Sequence, residues 1–220
     1  MQPWIEIDTA TVPGDGQKLR LIQRGDEFSI MTGPTALMNS RMFGSEEALA
    51  RLARERVGDR TPPKILIGGL GMGFTLRAAL SEFGNDARIT VAELVPAVVE
   101  WARGPLAGLF EGSLDDARVT VHVGDVAEAI SMGGWDAILL DVDNGPEGLT
   151  RDENDALYGL EGLALARRAL NPKGILAVWS SHKSPAFTKR LRQSGYAVEE
   201  VTARARGRRG ARHVIWIATK

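Results

Sequence analysis

An α/β fold built on a mostly parallel sheet is what this sequence predicts, on three observations. Short apolar runs, Lys64–Gly68, Arg88–Glu93 and Trp135–Asp141 among them, recur with helical segments between them. Continuous apolar strands separated by helices belong to parallel sheets covered on both faces. Gly69, Gly71 and Gly73 cluster where the first of these strands passes into a helix. Glycine lets a backbone turn tightly and lets a ligand approach where a Cβ would clash. Two last strand candidates, Tyr196–Val201 and His213–Ala218, read as an antiparallel hairpin.

Taken in order, residues 1–43 differ from the rest. Trp4–Asp8, Leu19–Arg24 and Glu27–Met31 are extended candidates, separated by Pro13-Gly14-Asp15-Gly16 and Gly25-Asp26 as turns. They predict a β-hairpin or three-stranded unit, too small to stand alone and therefore packed on something larger. From residue 44 the alternation begins. Ser45 can cap a helix over Glu46–Arg56, and Glu46 and Glu47 suit its positive end. Phe74–Glu82 and Ala97–Ala102 are the next helices, and Arg118–Val123 is the third strand. Asp155–Leu170 reads as a long helix stopped by Asn171-Pro172-Lys173-Gly174, with Ile175–Trp179 as the fifth strand and Ser184–Ser194 as a last helix. The sum is a seven-stranded, Rossmann-like domain over residues 44–220, preceded by a small N-terminal β-strand unit over residues 1–43.

Composition narrows the function classes. The chain has 220 residues, 44% of them hydrophobic and 25% charged, which is the balance of a soluble globular domain. It has no cysteine, which removes disulfides, thiolate metal sites and cysteine nucleophiles, and fits a cytoplasmic setting. The formal net charge of −1 gives no overall attraction to nucleic acid or membrane. No apolar run approaches the roughly 18 residues that span a bilayer, and the first residues do not resemble a signal peptide. His122, His182 and His213 lack ligand spacing, so no metal is expected.

Four features carry chemistry, each at the end of a predicted strand. The loop Gly69-Leu70-Gly71-Met72-Gly73 has GxGxG spacing, with Phe74 at the last position of a GxGxxG pattern. This suits nucleoside-binding transferases better than nicotinamide enzymes. Glu93, followed by Leu94, can accept hydrogen bonds from both ribose hydroxyls. Gly124-Asp125-Val126 follows the third strand, and Asp125 can accept from an adenine amino group or cap the next helix. Asp141 and Asp143 leave the fourth strand, where a carboxylate could bind a cationic amine and take its proton. Asp143 and Asn144 suit loop capping equally well.

Together these segments resemble the spermidine synthase (polyamine aminopropyltransferase) group of the S-adenosylmethionine-dependent methyltransferase superfamily. Ile65–Gly73 resembles that group's glycine loop, Ile89–Glu93 its ribose-binding strand, and Asp115–Val119 with Gly124-Asp125 its D-x-R-V … G-D segment. Asp136–Asp141 resembles the strand that carries its catalytic aspartate, and the N-terminal β unit has its counterpart there. The resemblance implies a methyltransferase fold and S-adenosylmethionine, or its decarboxylated form, bound at Gly69, Gly71, Gly73, Glu93, Leu94, Gly124, Asp125, Val126 and Asp141. It implies alkyl transfer, of methyl or aminopropyl, to a small-molecule amine, with Asp141 and Asp143 as catalytic residues in a homodimer. Two positions depart from the pattern: Gly71 stands where the group carries an aspartate, and Asn144 at its second aspartate after the strand. Neutral residues there suit the carboxylate-bearing donor, S-adenosylmethionine itself. The basic stretch Arg204–Arg212 leaves open a nucleic-acid methyltransferase, though a solvated hairpin tip explains it equally. A nucleoside-binding dimeric scaffold without catalysis is the alternative from another class.

Overall fold

The computed structural model describes residues 2–14, 16–142, 145–146, 157–206 and 209–220. Four strands open the chain: β1 (Ile5–Thr11), β2 (Lys18–Arg24), β3 (Glu27–Thr32) and β4 (Thr35–Asn39). They form an antiparallel sheet in sequence order. The sequence suggests two or three strands here, and β4 is the addition. It spans only five residues, none of them buried, so it carries no visible alternation.

The main domain runs α1 (Gly44–Val57), β5 (Lys64–Gly68), α2 (Phe74–Glu82), β6 (Arg88–Glu93), α3 (Pro96–Arg103), α4 (Ala107–Phe110), β7 (Val119–Val123), α5 (Val126–Ser131) and β8 (Trp135–Leu140). It continues with α6 (Leu160–Ala169), β9 (Leu170–Ser180), α7 (Pro185–Gln193), β10 (Ala197–Arg206) and β11 (Arg209–Thr219). The seven strands lie in the order β10-β11-β9-β8-β5-β6-β7. The five from β9 to β7 are parallel, while β11 and β10 add antiparallel at one edge. The chain lays β6 and β7 to one side of β5 and β8 and β9 to the other. Its reversal point therefore falls between β5 and β8, where open α/β sheets bind ligands.

Strand alternation divides the core between the two faces. Ile65, Ile67, Ala137, Leu139, Ile175 and Ala177 point to one side, where they meet residues of α1, α2 and α3. Leu66, Ile138, Leu140, Leu176 and Val178 point to the other, onto α5, α6 and α7. The N-terminal sheet joins the first of these clusters through Val12, Leu19, Leu21 and Ile30. Trp101 Nε1 ties it further by donating to Asp8 Oδ2 at 2.7 Å. The packing that such a small sheet requires comes from the main domain.

Three local expectations change. Ser45 is not the cap of α1, which starts at Gly44 with Phe43 in the capping position. The long helix expected over Asp155–Leu170 is α6, from Leu160, and residues 155 and 156 lie outside those described. Asn171–Gly174 does not separate helix from strand but lies inside β9. Trp135 pairs with Leu170 and Ala137 with Ile175, so the turn residues form a bulge. Asn171 Nδ2 donates to Asp136 Oδ1 at 2.8 Å, which gives the bulge a buried anchor. Among the described residues no helix is long and apolar enough to cross a membrane.

Candidate active site

The glycine loop is closed by backbone contacts from both neighbouring strands. Gly69 N donates to Ala92 O at 2.8 Å, and Asp141 N donates to Gly68 O at 2.9 Å. Gly69 has φ 93°, and a Cβ there would stand 2.4 Å from the Asp141 carbonyl oxygen. Only glycine fits a left-handed residue pressed on a neighbouring backbone. Gly71 faces the N-terminal sheet, with the space for a Cβ limited by Met38 Sδ at 3.0 Å. Gly73 has a different surrounding. A Cβ there would lie 2.4 Å from the Phe110 ring, so this glycine admits α4 against the start of α2.

Glu93, at the end of β6, is buried. Its Oε2 accepts from Leu70 N at 3.0 Å and its Oε1 from Val95 N at 2.9 Å. One carboxylate thus joins the glycine loop to the loop after β6. Asp125 is exposed and caps α5, its Oδ1 accepting from Ala127 N at 2.8 Å. Asp141 follows β8, half-buried, and its Oδ2 accepts from Thr75 Oγ1 at 2.6 Å. Burial pushes its carboxyl up to about 6, against the opposing effect of the Thr75 hydrogen bond. Asp143 lies outside the described residues.

These groups surround one cavity of about 490 Å³. Gly69, Gly71, Glu93 and Leu94 contribute to its walls, as do Gly124, Asp125, Val126 and Asp141; Gly73 does not. The N-terminal sheet supplies an apolar wall through Val12, Leu19, Ile30, Leu37 and Met38. Mostly apolar walls with a few convergent polar groups, in this size range, are what a small-molecule site requires. The volume and the carboxylates suit a ligand as large as an adenosyl sulfonium.

Other polar groups near Asp141 have no clear signal in the sequence. Thr75 lies in the first turn of α2, and its hydroxyl is used by a residue 66 positions away. Glu46 is half-buried in the first turn of α1. Burial, and then the charge of Asp141, push its carboxyl up to about 7, with Glu47 adding a smaller effect and a hydrogen bond from Ser45 opposing. Ser45 Oγ lies 2.6 Å from Glu46 Oε2 and 2.8 Å from His213 Nδ1. From sequence, Glu46 is indistinguishable from an ordinary acidic residue at a helix start. His182 is exposed and hydrogen-bonded to Ser181, and His122 lies 3.6 Å from Glu128. No cluster of three or more candidate metal ligands occurs among the described residues.

No protein-family model matches the chain. It is similar to the polyamine aminopropyltransferase of Mycobacterium tuberculosis, with 32% identity over 198 residues covering 83% of this chain and 35% of that protein. The polyamine aminopropyltransferase of Sulfolobus acidocaldarius is 29% identical over 129 residues, covering 58% of this chain and 41% of that one. The chain thus spans little more than a third of the M. tuberculosis relative. Among solved structures, spermidine synthase from Thermotoga maritima superposes with a TM-score of 0.75 at 19% identity, over 98% of this chain and 72% of that one. A spermidine synthase in complex with the transition state analogue AdoDATO gives a TM-score of 0.74 at 19% identity, with the same coverage. In sequence the chain is similar to part of the polyamine aminopropyltransferases, and its fold is that of the spermidine synthases.

Proposed function

We propose that the chain transfers an aminopropyl group from decarboxylated S-adenosylmethionine to a small amine. The observation that carries this is the single cavity that gathers Gly69, Gly71, Glu93, Asp125 and Asp141 from the ends of four neighbouring strands. Similarity to polyamine aminopropyltransferases supports the transferred group and the class of acceptor. Residues 1–43 serve as the β unit that walls the cavity, and residues 44–220 as the nucleoside-binding catalytic domain.

Glu93 takes the ribose hydroxyls, its carboxylate already fixed by Leu70 N and Val95 N. Asp125 takes the adenine amino group through Oδ2, its Oδ1 being committed to Ala127 N. Leu94 and Val126 cover the base, and the turns at Gly69, Gly71 and Gly124 let the backbone approach. When bound, the sulfonium supplies an electrophilic carbon and a neutral thioether as leaving group. Asp141 orients the attacking amine and accepts its proton. A carboxyl raised to about 6 is still ionised at neutral pH, and is a better proton acceptor than an ordinary aspartate. The apolar wall from the N-terminal sheet keeps water from the reacting carbon.

Calorimetric titration with S-adenosylmethionine and with its decarboxylated form, followed by mass analysis of products from aliphatic diamines, tests the assignment. Tighter binding of the decarboxylated donor and an aminopropylated diamine are expected. A methylated acceptor, or no product from any amine, overturns it.

A further inference from the structure

The last two strands of the main sheet outrun their neighbour. β11 pairs with β9 from Val214, opposite Ser180, to Thr219, opposite Ile175. Before Val214, β11 pairs with β10 alone: His213 with Ala203, Arg212 with Arg204 and Arg209 with Arg206. A two-stranded ribbon therefore runs on past the end of β9. Side chains on either face of it recur with period two. Trp216 and Val214 are buried in the core shared with α7, and Arg212, next in that row, is exposed. On β10 the same row passes from Thr202 to Arg204, while Ala203 and Ala205, on the opposite face, are buried.

This ribbon carries its charge in an arrangement that its own stability disfavours. Residues 203–212 are alanine, glycine and arginine alone, with five arginines and no acidic residue, in a chain whose formal net charge is −1. The register sets arginine directly opposite arginine twice. Like charges in directly opposed positions destabilise a strand pair. Neither Arg204 nor Arg212 has an ion pair among the described residues, whereas Arg51, Arg56 and Arg77 on α1 and α2 each hold a carboxylate. A ligand that brings closely spaced negative charge relieves such repulsion.

Composition narrows what that ligand is. Single-stranded nucleic acid is gripped by stacking its bases on aromatic rings, and no aromatic residue stands between 203 and 212. Membrane surfaces take amphipathic elements with large apolar side chains, and protein interfaces centre on well-packed residues such as tryptophan and tyrosine. Alanine and glycine offer neither. Dense phosphate fits better, because the arginine fork pairs bidentately with it. The major groove of a B-form duplex, about 12 Å wide, admits a two-stranded ribbon, and small residues between the arginines keep this ribbon narrow.

We propose that the β10–β11 ribbon is a docking surface for double-stranded nucleic acid, with Arg204 and Arg212 holding its phosphates without regard to base sequence. Neither arginine is a wall of the nucleoside cavity, so the ribbon holds a duplex whether or not the transfer reaction proceeds.

Fluorescence anisotropy of a labelled DNA duplex of about 20 base pairs, read over a series of salt concentrations, tests this. Wild type is expected to bind with a Kd on the order of 10 μM at low salt, and log K to fall against log salt with a slope of roughly −4. A duplex of unrelated sequence should bind equally. In Arg204→Gln/Arg212→Gln the slope should be shallower by roughly 2, because each arginine neutralises about one phosphate. Arg204→Lys/Arg212→Lys keeps both charges and should keep the slope. Transfer to a diamine should be unchanged in both variants. No binding at low salt overturns the proposal, and so does an unchanged slope in the glutamine variant. Equal binding to poly-glutamate or to phosphatidylserine vesicles overturns it too, making the partner an acidic protein or a membrane. Glutamine at both positions removes an opposed pair of charges, so the Tm of that variant should be no lower than that of wild type. Should the variant fail to fold, the wild-type salt slope and the comparison with poly-glutamate decide.

Discussion

Replacing Glu46 by glutamine changes how stability depends on pH, and both sign and size follow from the site. The Glu46 carboxyl is raised from 4.5 to about 7 and that of Asp141 from 3.8 to about 6. Between those limits the folded chain holds protons that the unfolded chain has released. Stability from this source is complete below pH ~4 and is lost as pH rises through about 6 and 7. At 1.36 kcal/mol for each unit, the Glu46 shift alone corresponds to roughly 3 kcal/mol. The charge of Asp141 accounts for part of that shift, so removing Glu46 also relieves Asp141. His213 acts in the opposite sense: burial and the nearby His182 hold its pKa below the ordinary value, so its contribution to stability grows as pH rises through the histidine range. The difference between wild type and Glu46→Gln cancels that contribution. Urea unfolding at pH 5 and pH 8 should show the variant gaining roughly 2–3 kcal/mol on wild type across the interval. For a chain of this size that is about 5–10 °C in Tm. Parallel curves for the two proteins would refute the raised Glu46 carboxyl, whose first cause is burial and whose second is the charge of Asp141.

Three further outcomes test separate parts of the site. Gly73→Ala places a Cβ 2.4 Å from the Phe110 ring at φ 80°, so it should cost roughly 2–4 kcal/mol in urea unfolding. Nucleoside affinity of the folded fraction should change little, because Gly73 is not a wall of the cavity. Glu93→Gln weakens the charge-assisted bonds from Leu70 N and Val95 N and the grip on ribose, so the Kd for methylthioadenosine should rise roughly 10–100-fold in calorimetry. Thr75→Val removes the hydrogen bond that holds the Asp141 pKa down, so the acid limb of the kcat/KM profile should move to higher pH; an unmoved limb would mean that Asp141 does not set it.

What the sequence makes legible is whatever topology fixes. Glu93, Asp125 and Asp141 can be picked out because each follows a recognisable apolar strand, and a parallel sheet delivers all its strand ends to one edge. What it hides depends on partners far along the chain. Ser45 has the features of a helix cap, yet its hydroxyl is drawn to His213, 168 residues away. Gly73 belongs by spacing to the ligand loop, but the Phe110 ring occupies its open side. Asn171–Gly174 has turn chemistry, and the chain uses it inside a strand, where Asn171 reaches the buried Asp136. In each case local sequence specifies what a residue is able to do, and a distant contact decides which of those things it does.

The N-terminal sheet shows the same dependence at the level of a whole element. The four short strands bury one face, and the buried side chains Val12, Leu19, Leu21 and Ile30 join the core of the main domain. The face that docks is continuous with the face that walls the cavity: Val12, Leu19 and Ile30 belong to both. Met38 meets the glycine loop at Gly71, where an added Cβ would stand 3.0 Å from its sulfur and the Met38 side chain would have to give way. The same side chains thus serve both the shared core and the wall of the cavity. A nucleoside bound beneath the sheet contacts both parts and stabilises their association by mass action. The glycine at position 71, with φ 50°, then has a structural reason of its own: it lets Met38 of the small sheet approach the loop.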